Sequence, residues 1–269
     1  MFKTRLISGI FLVAIALAAN ILGGPVLFCL ILAISLIGMH ELYQATGAEE
    51  KGRITTLTAA GYIGAAAYYA LLFAGLTDYY MAAIVGSVIL TMVMYVFAYP
   101  KYHANQAMTV VFGVVYVAVM LSYIYRTRCL EHGEFTVWLI IITAWGCDTC
   151  AYCAGRLFGK HKMAPVLSPK KTVEGAIGGV IGAAVIGAIY ALAVGRYMGG
   201  ARVVEYALIG FAGGLISMVG DLGASAIKRN HEIKDYGHLI PGHGGILDRF
   251  DSVIFTAPII YYLAFALVR

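Results

Sequence analysis

Charge is what this sequence has least of. Asp, Glu, Lys and Arg make up 12% of its 269 residues, while apolar types make up 61%. A soluble domain carries about twice that charged share, so one or two soluble domains of ordinary composition are excluded. No internal repeat and no low-complexity tract is visible. Cysteine is sparse and odd in number, at five. Three of them, Cys147, Cys150 and Cys153, fall in "CDTCAYC" and step about 60° around a helix, which gives one broad face rather than a chelating loop. With no fourth ligand adjacent, a zinc or iron–sulfur site is not supported, and the three read as small packing residues. The opening "MFKTRLISGIFLVAIALAANILGG" has no convincing A-x-A cleavage site, and its apolar run is longer than a typical signal-peptide core. It is expected to stay on the chain as a first spanning helix.

What the chain does have is apolar length. Several runs reach the ~20 residues that cross ~30 Å of hydrocarbon as a helix. Hydropathy windows predict nine helices, near 3–22, 25–45, 54–76, 79–99, 106–125, 135–155, 174–195, 203–224 and 252–268. The expected fold is therefore all-α, a polytopic integral membrane helix bundle. Residues 1–105 are expected to be N-terminal transmembrane helices, and 106–269 a C-terminal transmembrane catalytic region. The small-residue pairs Gly178/Gly182 and Gly210/Gly214 have the spacing that lets helices approach closely. They suit internal packing and leave a homodimer open.

The net charge of +5 is modest, so placement matters more than size. With a cytoplasmic N-terminus, Lys3, Arg5, Lys51, Arg53, Lys101, Arg156, Lys160, Lys162, Lys170, Lys171, Lys228, Arg229, Lys234 and Arg249 fall inside. Only Arg126, Arg128, Arg196, Arg202 and Arg269 fall outside. Every lysine is then inside, as the positive-inside rule asks. The chain is expected in the cell membrane as a multi-pass protein, with both long connections cytoplasmic and the C-terminus outside.

Those two connections hold most of the charge. The first, "GRLFGKHKMAPVLSPKKT", runs into a helix start that Thr172 can cap. Lys170 and Lys171 beside free N–H groups there would receive phosphate. Equally, such lysines can sit among anionic lipid heads. The second, "SAIKRNHEIKDYGHLIPGHGGILDRFDS", mixes Lys228, Arg229, Lys234 and Arg249 with Asp235, Asp248 and Asp251. Pro241, Gly242, Gly244 and Gly245 predict a tight turn that exposes His243. Asp248 and Asp251 stand three apart, on one face of an incoming helix; Asp251 could equally be part of a charged helix start. Asp221 in "SMVGDLGAS" and Asp148 in "TAWGCDTCAY" lie inside apolar helices, where an ionisable group is costly and faces a cavity or a partner. Carboxylates with phosphate-binding bases nearby are the surroundings Mg²⁺ takes.

The run from Ser225 to Asp251, "SAIKRNHEIKDYGHLIPGHGGILDRFD", resembles the signature of the phosphatidate cytidylyltransferases (CDP-diacylglycerol synthases). "CDTCAYCAGRLFGKHKMAPVLSPKKTVEG" is similar to their second shared block, with Cys150 and Cys153 as departures. The resemblance implies Mg²⁺-dependent transfer of CMP from CTP to phosphatidic acid, giving CDP-diacylglycerol and pyrophosphate. Asp221 and Asp248 are then the expected metal ligands. Asp251 and Asp148 are the candidates for supporting them or holding a second cation. Lys170, Lys171, Ser225, Lys228, Arg229 and Lys234 are expected to hold triphosphate and lipid phosphate, and Asp148 is counted with this substrate-binding group. His243 and Arg249 would orient substrate or stabilise the leaving group. CTP, phosphatidic acid and membrane lipids are the expected partners, and nucleic acid is not. Two rivals are a CTP-dependent polyprenol or lipid kinase, and an ion-coupled secondary transporter using Asp148 and Asp221. No D-G-x-x-A-R run supports a CDP-alcohol phosphotransferase.

Overall fold

The computed structural model describes residues 2–49, 52–240, 242 and 244–268. Helix α1 (Phe2–Leu22) leads into α2 (Gly24–Ala45), α3 (Thr56–Phe73) and α4 (Tyr80–Phe97). A continuous helical run follows, from α5 (Ala104–Gly113) through a π-helical stretch, Val114–Val119, into α6 (Met120–Arg128). After the single turn of α7 (Gly133–Thr136) come α8 (Trp138–Phe158), α9 (Val173–Val194), α10 (Val203–Asn230) and α11 (Leu247–Leu267). Among the described residues, eight helical segments are long and apolar enough to cross a membrane, and α1 adds the apolar stretch Val13–Leu22. The chain is a polytopic helical membrane protein, as its hydropathy predicts. On α4, Val85, Ile89, Met92 and Val96 form an outward apolar stripe at helical spacing, the face that lipid would cover.

Two helix boundaries and one connection near the charged segments differ from the sequence expectation. Helix α10 continues to Asn230 rather than ending near 224. Its last turn carries Lys228 and Arg229, cations that the helix C-terminus favours, whereas hydropathy windows stop where charge begins. For the same reason α11 starts at Leu247 rather than near 252, taking Asp248 into its first turn. The first long connection also folds into an antiparallel hairpin of β1 (Lys162–Ala164) and β2 (Ser168–Thr172). Pro169 and the paired lysines hide this ribbon from a strand reading, yet proline is tolerated on an edge strand that needs no N–H there.

The chain forms two compact units, Met1–Ser122 with His231–Arg249, and Tyr123–Asn230 with Phe250–Arg269. In the first, the buried tyrosines of α2 and α3 satisfy their hydroxyls inside the protein. Tyr43 donates to the Val110 carbonyl at 2.8 Å, Tyr69 shares a hydrogen with Ser35 at 2.7 Å, and Tyr68 with Ser122 at 2.9 Å. Each ring fills space while its polar tip finds a partner, which a low-dielectric interior requires.

In the second unit, α9 packs between α8 and α10 on small residues. A Cβ on Gly182 would stand 2.5 Å from Cys150, and Gly179 lies against Ala151 and Cys147. Opposite them, Gly210 and Gly214 of α10 meet Ala183 of α9, and Gly187 meets the Tyr206 carbonyl. Lipid is as apolar as leucine, so close backbone approach, rather than expulsion of water, holds such helices together. The predicted small-residue pairs are thus used in internal packing. Two of the three cysteines follow suit, with Cys147 buried and Cys150 packed on Gly182, but Cys153 is exposed and departs from the packing expectation.

Gly187 should be intolerant of any side chain, because a Cβ there would lie 2.6 Å from backbone that cannot turn aside. Gly187→Ala is expected to lower stability in detergent by about 1–3 kcal/mol. Gly86→Ala, where a Cβ would meet nothing within 4 Å, should not lower it. Thermal unfolding of the two variants against the parent checks this.

Candidate active site

The second unit gathers acids and bases at one end of α10. Hairpin strand β2 delivers Lys171 to Asp221 of α10, where ammonium and carboxylate form an ion pair with each side chain about a quarter exposed. Several local contacts hold the hairpin for this. Thr172 caps α9, its hydroxyl accepting the Gly175 N–H at 3.2 Å, as its place in the sequence predicts. Glu174 turns back from the first turn of α9, and its Oε2 accepts the backbone N–H groups of Lys160 at 3.0 Å and His161 at 3.2 Å. Its Oε1 meets His161 Nδ1 at 2.6 Å. The root of the hairpin is tied down by side chains, which a two-stranded ribbon needs because it is marginal alone.

Asp221, Ser225 and Lys228 share one face of α10 at i, i+4 and i+7. Asp251 of α11 is half-buried within electrostatic reach of Asp221, Asp148 and Lys228. Helices α10 and α11 meet closely at this level, since a Cβ on Gly220 would be 2.7 Å from the Asp251 carbonyl oxygen. Asp148 is exposed on α8, and Lys170 and Arg229 are exposed as well. Of the residues expected to share a site, the second unit therefore assembles Asp221, Lys171, Asp251, Asp148 and Lys228 into one electrostatic cluster.

The first unit holds the other half of the expected set. Asp248 is buried, and its Oδ2 accepts two backbone N–H groups, from Tyr236 at 2.8 Å and Gly245 at 3.0 Å. It fastens both ends of the preceding loop. Within that loop Ile240 pairs with Gly244 through an N–H···O bond of 2.9 Å. Gly242 and Gly244 take positive φ values of 80° and 85°, a backbone state that side chains disfavour, so the predicted glycine turn is present. Arg249 is half-buried, with its Nε enclosed and without a hydrogen-bond partner among the described residues. Such an N–H suits an anionic oxygen. Lys234 is exposed on the loop. Pro241 and His243, like Lys51 and Arg269 in the charge count, lie outside the described residues.

One residue escaped the sequence reading. Glu41, buried on α2, accepts the N–H of Ile246 on Oε1 at 2.9 Å and that of Leu247 on Oε2 at 2.8 Å. The signal was available, because a glutamate inside a spanning helix is the same anomaly as Asp148 and Asp221. It sits near the end of its helix, where hydropathy already declines.

Among the described residues, no three His, Cys, Asp or Glu side chains make a ready-built metal cage. Mg²⁺ seldom has one, since it is held by one or two carboxylates together with substrate phosphates and water. The oxygen donors of Asp221 and Asp251 fit that pattern.

The sequence matches the family model described as "Cytidylyltransferase family" over residues 3–267. It is 30% identical to a phosphatidate cytidylyltransferase of Staphylococcus epidermidis over 97% of this chain and 98% of that protein. One from Haemophilus influenzae is 32% identical over 98% and 99% of the two chains. One from Bacillus subtilis is 28% identical over 97% of each.

The Lys171–Asp221 pair should show up as a coupling. In a double-mutant cycle of Lys171→Met and Asp221→Asn, thermal unfolding is expected to give an interaction of about 0.5–1 kcal/mol, modest because the pair is partly exposed. Strictly additive losses would contradict the pairing.

Proposed function

The chain belongs to the cytidylyltransferase family, among the phosphatidate cytidylyltransferases, and on that premise we propose how its residues divide the work of making CDP-diacylglycerol from CTP and phosphatidic acid. The observation that carries the proposal is the Lys171–Asp221 pair, set beside Asp251, Asp148 and Lys228. In the reaction a phosphate oxygen of the lipid forms a bond to the α-phosphorus of CTP. The bond from that phosphorus to the α,β-bridging oxygen breaks, and pyrophosphate leaves with the electron pair. The attacking phosphate is already ionised near neutral pH, so no strong general base is needed. The task is to bring two polyanions together and offset charge on the leaving group.

Lys171 sits directly before the N-terminus of α9, where free N–H groups and the helix dipole favour a polyphosphate. We assign it, with Lys170, to the triphosphate. Lys228 and Arg229, in the last turn of α10, are assigned to the lipid phosphate, with Ser225 one turn earlier on the same face. Arg249, with its unpartnered Nε, and Lys234 are assigned to phosphate oxygens as well. Asp221 and Asp251 would hold Mg²⁺, which when bound lowers the charge that the phosphates present to one another; Asp148 is assigned to support a second cation. Asp248 keeps its sequence assignment as a metal ligand, and its Oδ2 also fastens the loop before it. His243 keeps its assignment to leaving-group stabilisation from the sequence alone. The N-terminus and the basic connections are proposed to be cytoplasmic, and a homodimer is compatible with the bundle.

The reaction itself is tested by product. Purified protein given phosphatidic acid and CTP labelled at the α-phosphate should place the label in lipid, and γ-label should leave as pyrophosphate. Release of CDP with γ-label in lipid would mean a kinase. The assignments are tested by kinetics. Lys171→Ala should raise KM for CTP about 10- to 150-fold and KM for phosphatidate much less, and Arg229→Ala should do the reverse. A reversed pattern would exchange the two substrates' places.

Topology has its own check. Single cysteines at His161 and Lys234, in a chain cleared of native cysteines, should react only from the cytoplasmic side, and one at Gly199 only from the other side. Labelling of His161 and Lys234 from opposite sides would end the proposal that both basic connections are cytoplasmic.

A further inference from the structure

Helix α11 begins without a cap of its own. The residue before its first turn is Ile246, which has no side-chain acceptor, where helices ordinarily place Ser, Thr, Asp or Asn. The missing acceptor comes from far away in sequence. Glu41 of α2 takes the N–H of Ile246 on one oxygen and that of Leu247 on the other, at 2.9 and 2.8 Å. Two glycines make room for it, since a Cβ on Gly237 or on Gly245 would come within 2.5 Å of the carboxylate. Glu41 is thus enclosed by the loop it holds, and a larger residue at either glycine would expel it.

The loop's own backbone is rich in glycine. Gly242 and Gly244 take left-handed conformations and give it little stiffness of their own. The Ile240–Gly244 pairing and the two N–H groups on Asp248 also tie it. Asp248 and Arg249 follow Leu247 directly, so the point that Glu41 fixes is one residue from the aspartate and two from the arginine.

We propose that Glu41 is a positioning residue for the transfer reaction: through the N–H groups of Ile246 and Leu247 it sets where Asp248 and Arg249 stand. This rests on the cytidylyl-transfer reading above. Both oxygens must be acceptors for the role. In Glu41→Gln one oxygen is replaced by an NH₂ group that faces a backbone N–H, donor against donor, while size and packing hardly change. Glu41→Asp keeps both acceptors but sets them back by one methylene.

The test measures turnover and amide hydrogen exchange on the same full-length protein in the same detergent. For Glu41→Gln, kcat is expected to fall about 10- to 100-fold with KM for CTP and for phosphatidate changed less than about threefold. Exchange across residues 235–249 should quicken about tenfold or more, while α8 and α9 keep their protection. Glu41→Asp should recover part of both losses. Faster loop exchange with unchanged kcat would make Glu41 a structural cap only and overturn the proposal. Lost turnover with unchanged loop exchange would place Glu41 on substrate, and a general loss of protection would reduce it to fold stability; either result also overturns it. If the parent protein forms no CDP-diacylglycerol, the reaction assignment fails on its own, and exchange in the loop still reports whether Glu41 holds it.

Discussion

An aspartate on a spanning helix has to be neutralised, and in this protein the neutralising group is Lys171. Placing a carboxylate within an apolar helix costs about 2.5–3.5 kcal/mol on insertion scales, and Asp221 meets that cost with an ammonium carried by a hairpin rather than by another spanning helix. Much of the second unit's irregular structure follows from this requirement. The hairpin must be rigid enough to aim a lysine, so Thr172 caps α9 and Glu174 ties the hairpin root. Helix α10 must carry Asp221 at a level the lysine can reach, and small residues let it pack on α9 at close range. Under the proposed reaction, the ammonium that balances the aspartate would turn to nucleotide phosphates and leave the carboxylate to a divalent cation.

The first unit handles buried carboxylates in another way. Glu41 and Asp248 are both buried, and each accepts two backbone N–H groups. Such bonds are charge-assisted and shorter than neutral ones, and they turn two acids into fasteners for a glycine-rich loop. Acids in this protein therefore serve two purposes. Those of the second unit stand among lysines in a cluster suited to phosphates, and those of the first hold backbone in place. A charge count alone would not separate them, since all lie within or beside apolar helices.

The spans were legible because a bilayer imposes one length on every helix, and hydropathy reports it directly. The ends of α10 and α11 were less legible, because charged residues such as Lys228 and Asp248 continue a helix after its apolar stretch has stopped. The cap at Thr172 and the turn at Gly242 and Gly244 could be read from local rules, since each depends on a few neighbouring residues. The β1–β2 hairpin could not, because its lysines and Pro169 carry no strand pattern, and its placement depends on contacts with Glu174 and Asp221. Asp221 stood out as a charge in the wrong medium. The bonds from Glu41 span more than two hundred residues of sequence, and no local pattern encodes such a contact.

The central claim is that the Asp221 cluster is where nucleotide phosphates and a divalent cation meet. Electron paramagnetic resonance of Mn²⁺, standing in for Mg²⁺, measures this directly on the purified protein with CTP present. The account predicts a protein-bound Mn²⁺ signal that requires CTP and is lost in Asp221→Asn, while that variant keeps the parent's helical content. A bound-Mn²⁺ signal of equal strength and affinity in Asp221→Asn would contradict it.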